Sequence, residues 1–249
     1  MRTRRLPLSP PIASRSVRPL EEHERHYLRD VLRLEDGAPL VVFDGQGGEW
    51  TASLERDASG ASVLAIGERR PDRGSDPTLP LVLVQALTHA RSIDEVVARA
   101  TEIGASAIVP VLAARGRVRL DAESAHRRRA RWSTIAAGAA RQCGRTRVPD
   151  CALPVPLPEA LARLPHPGDG ERRFLLTPDA SRPFGESAVP PTRLVLMVGP
   201  EGGWTDEERI LAARRGFEPR RLGPRTLRAD TAGLAALAAA GVLWGDLDG

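Results

Sequence analysis

Lysine and asparagine do not occur in this chain of 249 residues. All 36 basic side chains are therefore arginine, so arginine abundance says nothing by itself and only its placement can. Cysteine is nearly absent too. Cys143 and Cys151 lack the spacing of a metal site and are too few for a disulfide framework, so both read as reduced thiols. No long apolar run is present: residues 232–244, AGLAALAAAGVLW, fall short of a bilayer span. The basic N-terminus, MRTRRLPLSPPIASRS, has prolines where a secretion signal would be apolar. These absences predict a soluble, cytoplasmic protein with no membrane partner. Two nucleotide signatures are also missing, the G-x-G-x-x-G of a dinucleotide fold and the P-loop with its lysine.

What is present is unevenly placed. Residues 115–147 hold ten arginines and two acids, an excess of eight, whereas the whole chain carries only +4. Such crowding concentrates a positive field and suits a nucleic-acid footprint, although a solvated helix face would share the composition.

The chain divides at residues 71–79, PDRGSDPTL, a charged stretch rich in turn formers. Before it, residues 38–44, 49–55 and 61–68 read as strands separated by GQGG (45–48) and RDASG (56–60). A helical segment at 23–34 places Tyr27, Val31 and Leu34 on one face. This predicts a small β-barrel or sheet domain at 1–72, with GQGG serving as a turn. Residues 79–249 alternate instead. A continuously apolar run at 79–87 reads as a strand covered on both faces, and 105–113, 172–180 and 192–199 read as further strands. Helices are predicted after Ser92, over about 122–142, after Thr205 and over about 231–243. Ser92 with Glu95 and Thr205 with Glu208 have capping-box spacing. Strands alternating with helices imply a mostly parallel α/β sheet.

Three strand ends carry glycine or proline: LLTPDA (175–180), LMVGPEGGW (196–204) and LGPRTLRADTAG (222–233). Carboxyl ends of strands are where such sheets bind ligands, and glycine permits close backbone approach. From the residues alone, GPEGG is either a ligand-holding loop or a tight turn that starts a helix.

GPEGGW before an acid-rich helix, followed by LGPRTLRADTA, closely resembles the RsmE family, which methylates N3 of a uridine in bacterial small-subunit ribosomal RNA. RATEIGA (99–105), AARQCGRTRVP (139–149), HYLRDVLRL and FDGQGG agree with it in order, so the resemblance covers nearly the whole chain. It implies a PUA-like β-barrel RNA-binding domain at 1–72 and a SPOUT α/β methyltransferase domain at 79–249, closed by a deep trefoil knot. It also implies a homodimer, S-adenosylmethionine as cofactor, no metal, and 16S ribosomal RNA as partner. On that resemblance Leu176, Thr177, Pro178, Gly199, Glu201, Gly202, Leu222, Gly223 and Leu227 hold the cofactor, with Thr226 and Arg228 beside it.

Uracil N3 must lose a proton, so the chemistry wants an acceptor and cationic donors for O2 and O4. Arg228 and Arg145 are the candidate donors, Gln142 a candidate to orient the base edge, and Glu201 the candidate acceptor. The alternative roles are organising backbone amides at the helix start for Glu201 and gripping a phosphate for Arg145. His26, Arg29, His89, Arg91, Arg115, Arg141 and Arg145 are the candidate RNA contacts. The family usually carries Lys-Gly-Asp-Lys/Arg-Met where this chain has His89-Ala90-Arg91-Ser92-Ile93, and lysine where it has Arg99. Two alternatives therefore stand beside the main reading: methylation of another ribosomal or transfer RNA position, and an inactive RNA-binding assembly protein.

Overall fold

The computed structural model describes residues 4–88, 90–186 and 189–247, without the side chains of 90–92. The chain forms two compact units, one of Met1–Asp76 with Ala140–Val148, the other of Pro77–Ala139 with Pro149–Gly249.

The first unit is a five-stranded sheet in the order β1-β3-β4-β5-β2. Its strands are β1 (Arg5–Pro7), β2 (Ser16–Pro19), β3 (Pro39–Phe43), β4 (Glu49–Arg56) and β5 (Ser62–Arg69). β1 runs parallel to β3, and the other pairings are antiparallel. Leu6, Leu40, Val42, Trp50, Leu54, Leu64 and Ile66 bury one face, and Leu28 from the helical segment caps it. That segment is a single turn, α1 (Glu22–Arg25), continued by a π-helical stretch at His26–Val31. The wider turn rotates the apolar stripe expected from a 3.6-residue period. Leu28 is fully buried and Val31 is 57% exposed, so the expected face of Tyr27, Val31 and Leu34 is corrected to one led by Leu28 and Leu34.

GQGG is a turn. The Asp44 carboxylate accepts the backbone N–H groups of Gln46 and Gly48 at 2.7 and 2.9 Å. A Cβ on Gly47 would stand 3.0 Å from the Arg147 guanidinium, so glycine lets residues 145–148 lie against the turn. Val148 N–H then donates to Gly45 O at 2.9 Å.

The second unit contains β6 (Leu81–Ala86), α2 (Ala90–Ile103), β7 (Ala105–Leu112), α3 (Ala122–Cys143), β8 (Asp150–Cys151), β9 (Val155–Pro156) and α4 (Leu157–Arg163). β10 (Glu171–Leu176), β11 (Arg193–Val198), α5 (Asp206–Arg214), β12 (Glu218–Arg220) and α6 (Ala229–Trp244) complete it. The last turn of α3 falls in the first unit. The strands form one sheet in the order β12-β10-β11-β6-β7-β8, with β9 also on β7, and every pairing is parallel. Both faces are covered, which explains the uninterrupted apolar strands. Val82, Val84 and Ala86 pack with Leu157 and Leu161 of α4 and Ala212 of α5. On the other face α6 approaches so closely that a Cβ on Gly233 would stand 2.8 Å from Gln85 Oε1 and 3.2 Å from Leu83. Burying each such leucine is worth about 1.5–3 kcal/mol.

α2 begins before Ser92, so that residue lies inside the helix and not at its cap; its side chain is outside the described residues. Thr205 and Glu208 do form the expected reciprocal capping box on α5, and Gly216, at φ +80°, ends the segment. Because all the strands are parallel, the loops after β6, β7, β10, β11 and β12 emerge at one edge of the sheet.

Candidate active site

Two cavities open among those loops, both built wholly from the second unit. The first, of about 360 Å³, is bounded by Leu176–Pro178 after β10, by Val198–Glu201 with Gly203 and Trp204 after β11, and by Leu222, Gly223 and Arg225–Ala229 after β12, with Ala232 behind. The second, of about 280 Å³, is bounded by Leu87 and Thr88 after β6, Arg115–Arg117 after β7, and Pro200–Gly202. The two meet at the glycine turn, where Pro200 and Glu201 border both.

Each glycine of the turn has its own cause. A Cβ on Gly199 would lie 3.0 Å from Trp204 Nε1, and one on Gly202 would lie 3.1 Å from Arg115 Cβ. Gly203 takes φ +68°, a conformation that side chains rarely adopt. The turn is braced from two directions. Glu208, buried at 7% exposure, accepts Thr205 N–H at 2.9 Å and Ala114 N–H at 2.8 Å. Arg115 donates to Gly202 O at 3.2 Å and Trp204 O at 3.5 Å. The loop after β7 and the loop after β11 are thus fastened into one piece.

On the opposite wall, the Thr177 hydroxyl donates to Asp179, and Arg209 of α5 donates to Asp179 at 2.9 Å and to Thr177 Oγ1 at 3.3 Å. The Thr177 hydrogen bond, reinforced by Arg209, holds the Asp179 carboxyl below its ordinary range. Trp204 is 3% exposed, and its indole Nε1 has no hydrogen-bond partner among the described residues.

Of the sequence-predicted cofactor residues, Leu176, Thr177, Pro178, Gly199, Glu201, Leu222, Gly223 and Leu227 line the first cavity, while Gly202 lines the second. Glu201 is exposed, and Arg228 sits at the N-cap of α6 on the wall of the first cavity. Arg115 lines the second. Arg145, Gln142 and Arg141 belong to the first unit. There Arg145 is 5% exposed with Nε on Asp76 at 3.3 Å, and Arg141 stacks 4.2 Å above the Tyr27 ring. His26 is exposed and pairs with Asp30 at 2.9 Å. Arg29 donates to Leu34 O, Ser62 and Asp36, which fastens the helical segment to β5. His89 and the Arg91 side chain lie outside the described residues. Sequence reasoning missed Trp204, Thr88 and Arg117. Trp204 follows GPEGG directly and was legible; the other two join the site only through the parallel order of β6, β7 and β11.

Comparison with known proteins agrees with this geometry. The family described as an RNA methyltransferase domain matches residues 75–241, and that described as an RNA methyltransferase PUA domain matches 20–63. Fold and site together define a SPOUT-type α/β-knot methyltransferase domain carrying a PUA-type β domain. A ribosomal RNA small subunit methyltransferase E of Synechocystis is 36% identical over 219 residues, covering 86% of this chain and 69% of its own. The enzyme of that name from Neisseria gonorrhoeae, solved bound to S-adenosyl methionine, is 32% identical with TM-score 0.88, covering 98% of this chain and 99% of its own. A Legionella pneumophila methyltransferase solved with the bound cofactor SAM is 30% identical with TM-score 0.90, covering 99% and 100%. The chain belongs to the ribosomal RNA small subunit methyltransferase E, or RsmE, family.

Proposed function

We propose that this chain transfers a methyl group from S-adenosylmethionine to N3 of one uridine in 16S ribosomal RNA of the small subunit. The observation that carries the reading is the first cavity, whose wall is built from the glycine- and proline-bearing loops after β10, β11 and β12. Such loops bring backbone N–H and C=O groups close to a bound ligand, as a nucleoside with several polar edge atoms requires. The rest of the wall fits the same ligand. Gly199, Leu222, Gly223 and Leu227 offer close backbone approach and apolar surface for an adenosine, Leu176, Thr177 and Pro178 close one side, and Gly202 supports the turn from behind.

When bound, the cofactor supplies a methyl group activated on a sulfonium. The residues orient and stabilise charge, which is where most of the rate of an in-line displacement arises. Glu201, shared by both cavities and open to solvent, accepts the N3 proton. Arg228, held at the start of α6, places its guanidinium at the cavity wall, where it offsets charge on the uracil oxygens. Arg145, buried against Asp76, supports the reading as a brace that shapes the 144–148 turn, with Gln142 one helical turn before it orienting RNA. His26, Arg29, Arg115 and Arg141, with His89 and Arg91, hold the flanking RNA backbone. A base inside folded RNA must be splayed out to react.

The proposal includes a homodimer and a cytoplasmic location. Val242, Leu243 and Leu247 at the end of α6 are 54%, 49% and 46% exposed, an apolar strip that a second copy would cover. No helix among the described residues is long and apolar enough to cross a membrane.

Labelled S-adenosylmethionine incubated in parallel with unmodified small subunits, large-subunit RNA and transfer RNA tests the substrate class. Label confined to small-subunit RNA is expected. Label on another RNA would redirect the target, and cofactor binding without label on any RNA would favour the inactive RNA-binding reading.

A further inference from the structure

We infer that the second cavity is the receptor for the target uracil, read by Arg117 at one carbonyl oxygen and by Glu201 at N3. The inference rests on the methyl transfer proposed above and adds the base pocket and the source of uracil selectivity.

Position is the first argument. The two cavities adjoin at Pro200 and Glu201, so a base in the second lies directly beside a methyl donor in the first. Chemistry is the second. The Watson–Crick edge of uracil reads acceptor, donor, acceptor at O2, N3–H and O4. The cavity is bordered by the complement, a carboxylate acceptor on Glu201 and a cationic donor on Arg117. Cytosine would set its N3 lone pair against the carboxylate and its amino group against a guanidinium, both repulsive. Specificity of this kind is strong because a mismatched base leaves polar groups unpaired.

Local structure is the third. Arg115 is already committed to Gly202 O and Trp204 O. Arg119 folds back onto Gly116 O at 2.7 Å and Val118 O at 3.0 Å. Gly116 N–H donates to Ala113 O at 3.0 Å, and Ala114 N–H is held by Glu208. The loop is therefore rigid, yet Arg117 makes no hydrogen bond or ion pair with any described residue while its side chain borders the cavity. An engaged frame presenting one unengaged cation is what a preorganised ligand site requires. In the reaction the methyl carbon leaves sulfur and bonds to N3. The N3 proton passes to the Glu201 carboxylate, and the sulfonium becomes a neutral thioether.

The test pairs one side chain with one atom of the base. Small subunits are reconstituted with uridine, 2-thiouridine or 4-thiouridine at the target, and kcat/KM is measured for the wild type, Arg117→Met and Arg117→Lys. Sulfur accepts hydrogen bonds poorly, so one thio substitution should slow the wild type by roughly 10- to 100-fold. Arg117→Met should lose about as much on ordinary uridine and be indifferent to that same substitution, with Arg117→Lys between. Unchanged affinity of Arg117→Met for S-adenosylmethionine shows that the fold is intact. Wild-type kcat/KM in Arg117→Met overturns the inference, and so does a loss that simply multiplies with both thio penalties, which would mean a phosphate contact. Failure of the wild type to methylate uridine N3 at all would overturn the parent proposal instead.

Discussion

Trp204→Phe separates two effects that usually travel together. The substitution keeps an aromatic ring against Gly199 but removes the indole N–H. In the free protein that N–H is buried with no partner among the described residues, so deleting it relieves about 1–3 kcal/mol of desolvation. Losing the second ring from a side chain 3% exposed costs about 1–2 kcal/mol in burial and residual void. The two nearly cancel, and the free variant should unfold within about 1 kcal/mol of the wild type. The cavity side is untouched, because the N–H has no surface open to the ligand-free cavity. S-Adenosylmethionine affinity should therefore stay within about 3-fold of the wild type, a change under about 0.7 kcal/mol. Denaturant unfolding with and without cofactor, alongside calorimetric titration, reads both numbers. An affinity loss beyond about 10-fold, or a free protein destabilised by more than about 3 kcal/mol, would overturn this.

Further outcomes follow from neighbouring contacts. Glu208→Ala removes the α5 cap and the acceptor for Ala114 N–H, and should cost about 2–4 kcal/mol in denaturant unfolding while also weakening the cofactor; a loss under about 0.5 kcal/mol would contradict the brace. Burial pushes the Cys151 thiol up to about 12 whereas Cys143 is exposed, so maleimide at pH 8 should modify one thiol per folded chain, at Cys143 by peptide mapping. The Asp179 carboxyl is depressed, so the clasp on Thr177 holds fully above its ordinary value of 3.8 and is lost as pH falls through the lower folded value. Its carboxyl carbon resonance should titrate below 3.8, and moving Arg209→Ala should shift the midpoint back upward.

Much of the larger unit was legible because its signals are local. β6 and β11 each hold at least four consecutive apolar residues, and the Thr205–Glu208 cap occupies the expected positions. The edge elements were not. β1 and β2 lie among prolines and arginines, and β12 is Glu-Pro-Arg; each exists through pairing with a partner strand that no local pattern announces. The π-helical turn misled for a related reason, since a period of 3.6 was assumed where the backbone widened. At the site, glycine spacing pointed to the first cavity almost residue by residue. Gly202 faces the second cavity because Arg115 crosses behind the turn, a contact between residues 87 positions apart. Arg145 reads from sequence as a cationic donor or a phosphate grip, and sequence could not show Asp76 beside it. Arginine without its partner is ambiguous. The pairing, not the residue type, decides its role.

The central claim is atomic: methylation at N3 of a single uridine. Purified protein, S-adenosylmethionine and small subunits whose RNA lacks the modification should be incubated together, and the RNA digested and mapped by mass spectrometry. The account predicts N3-methyluridine at one position, stoichiometric with subunits and absent in Glu201→Gln. A methyl group on ribose, on another base or spread over several positions would contradict it.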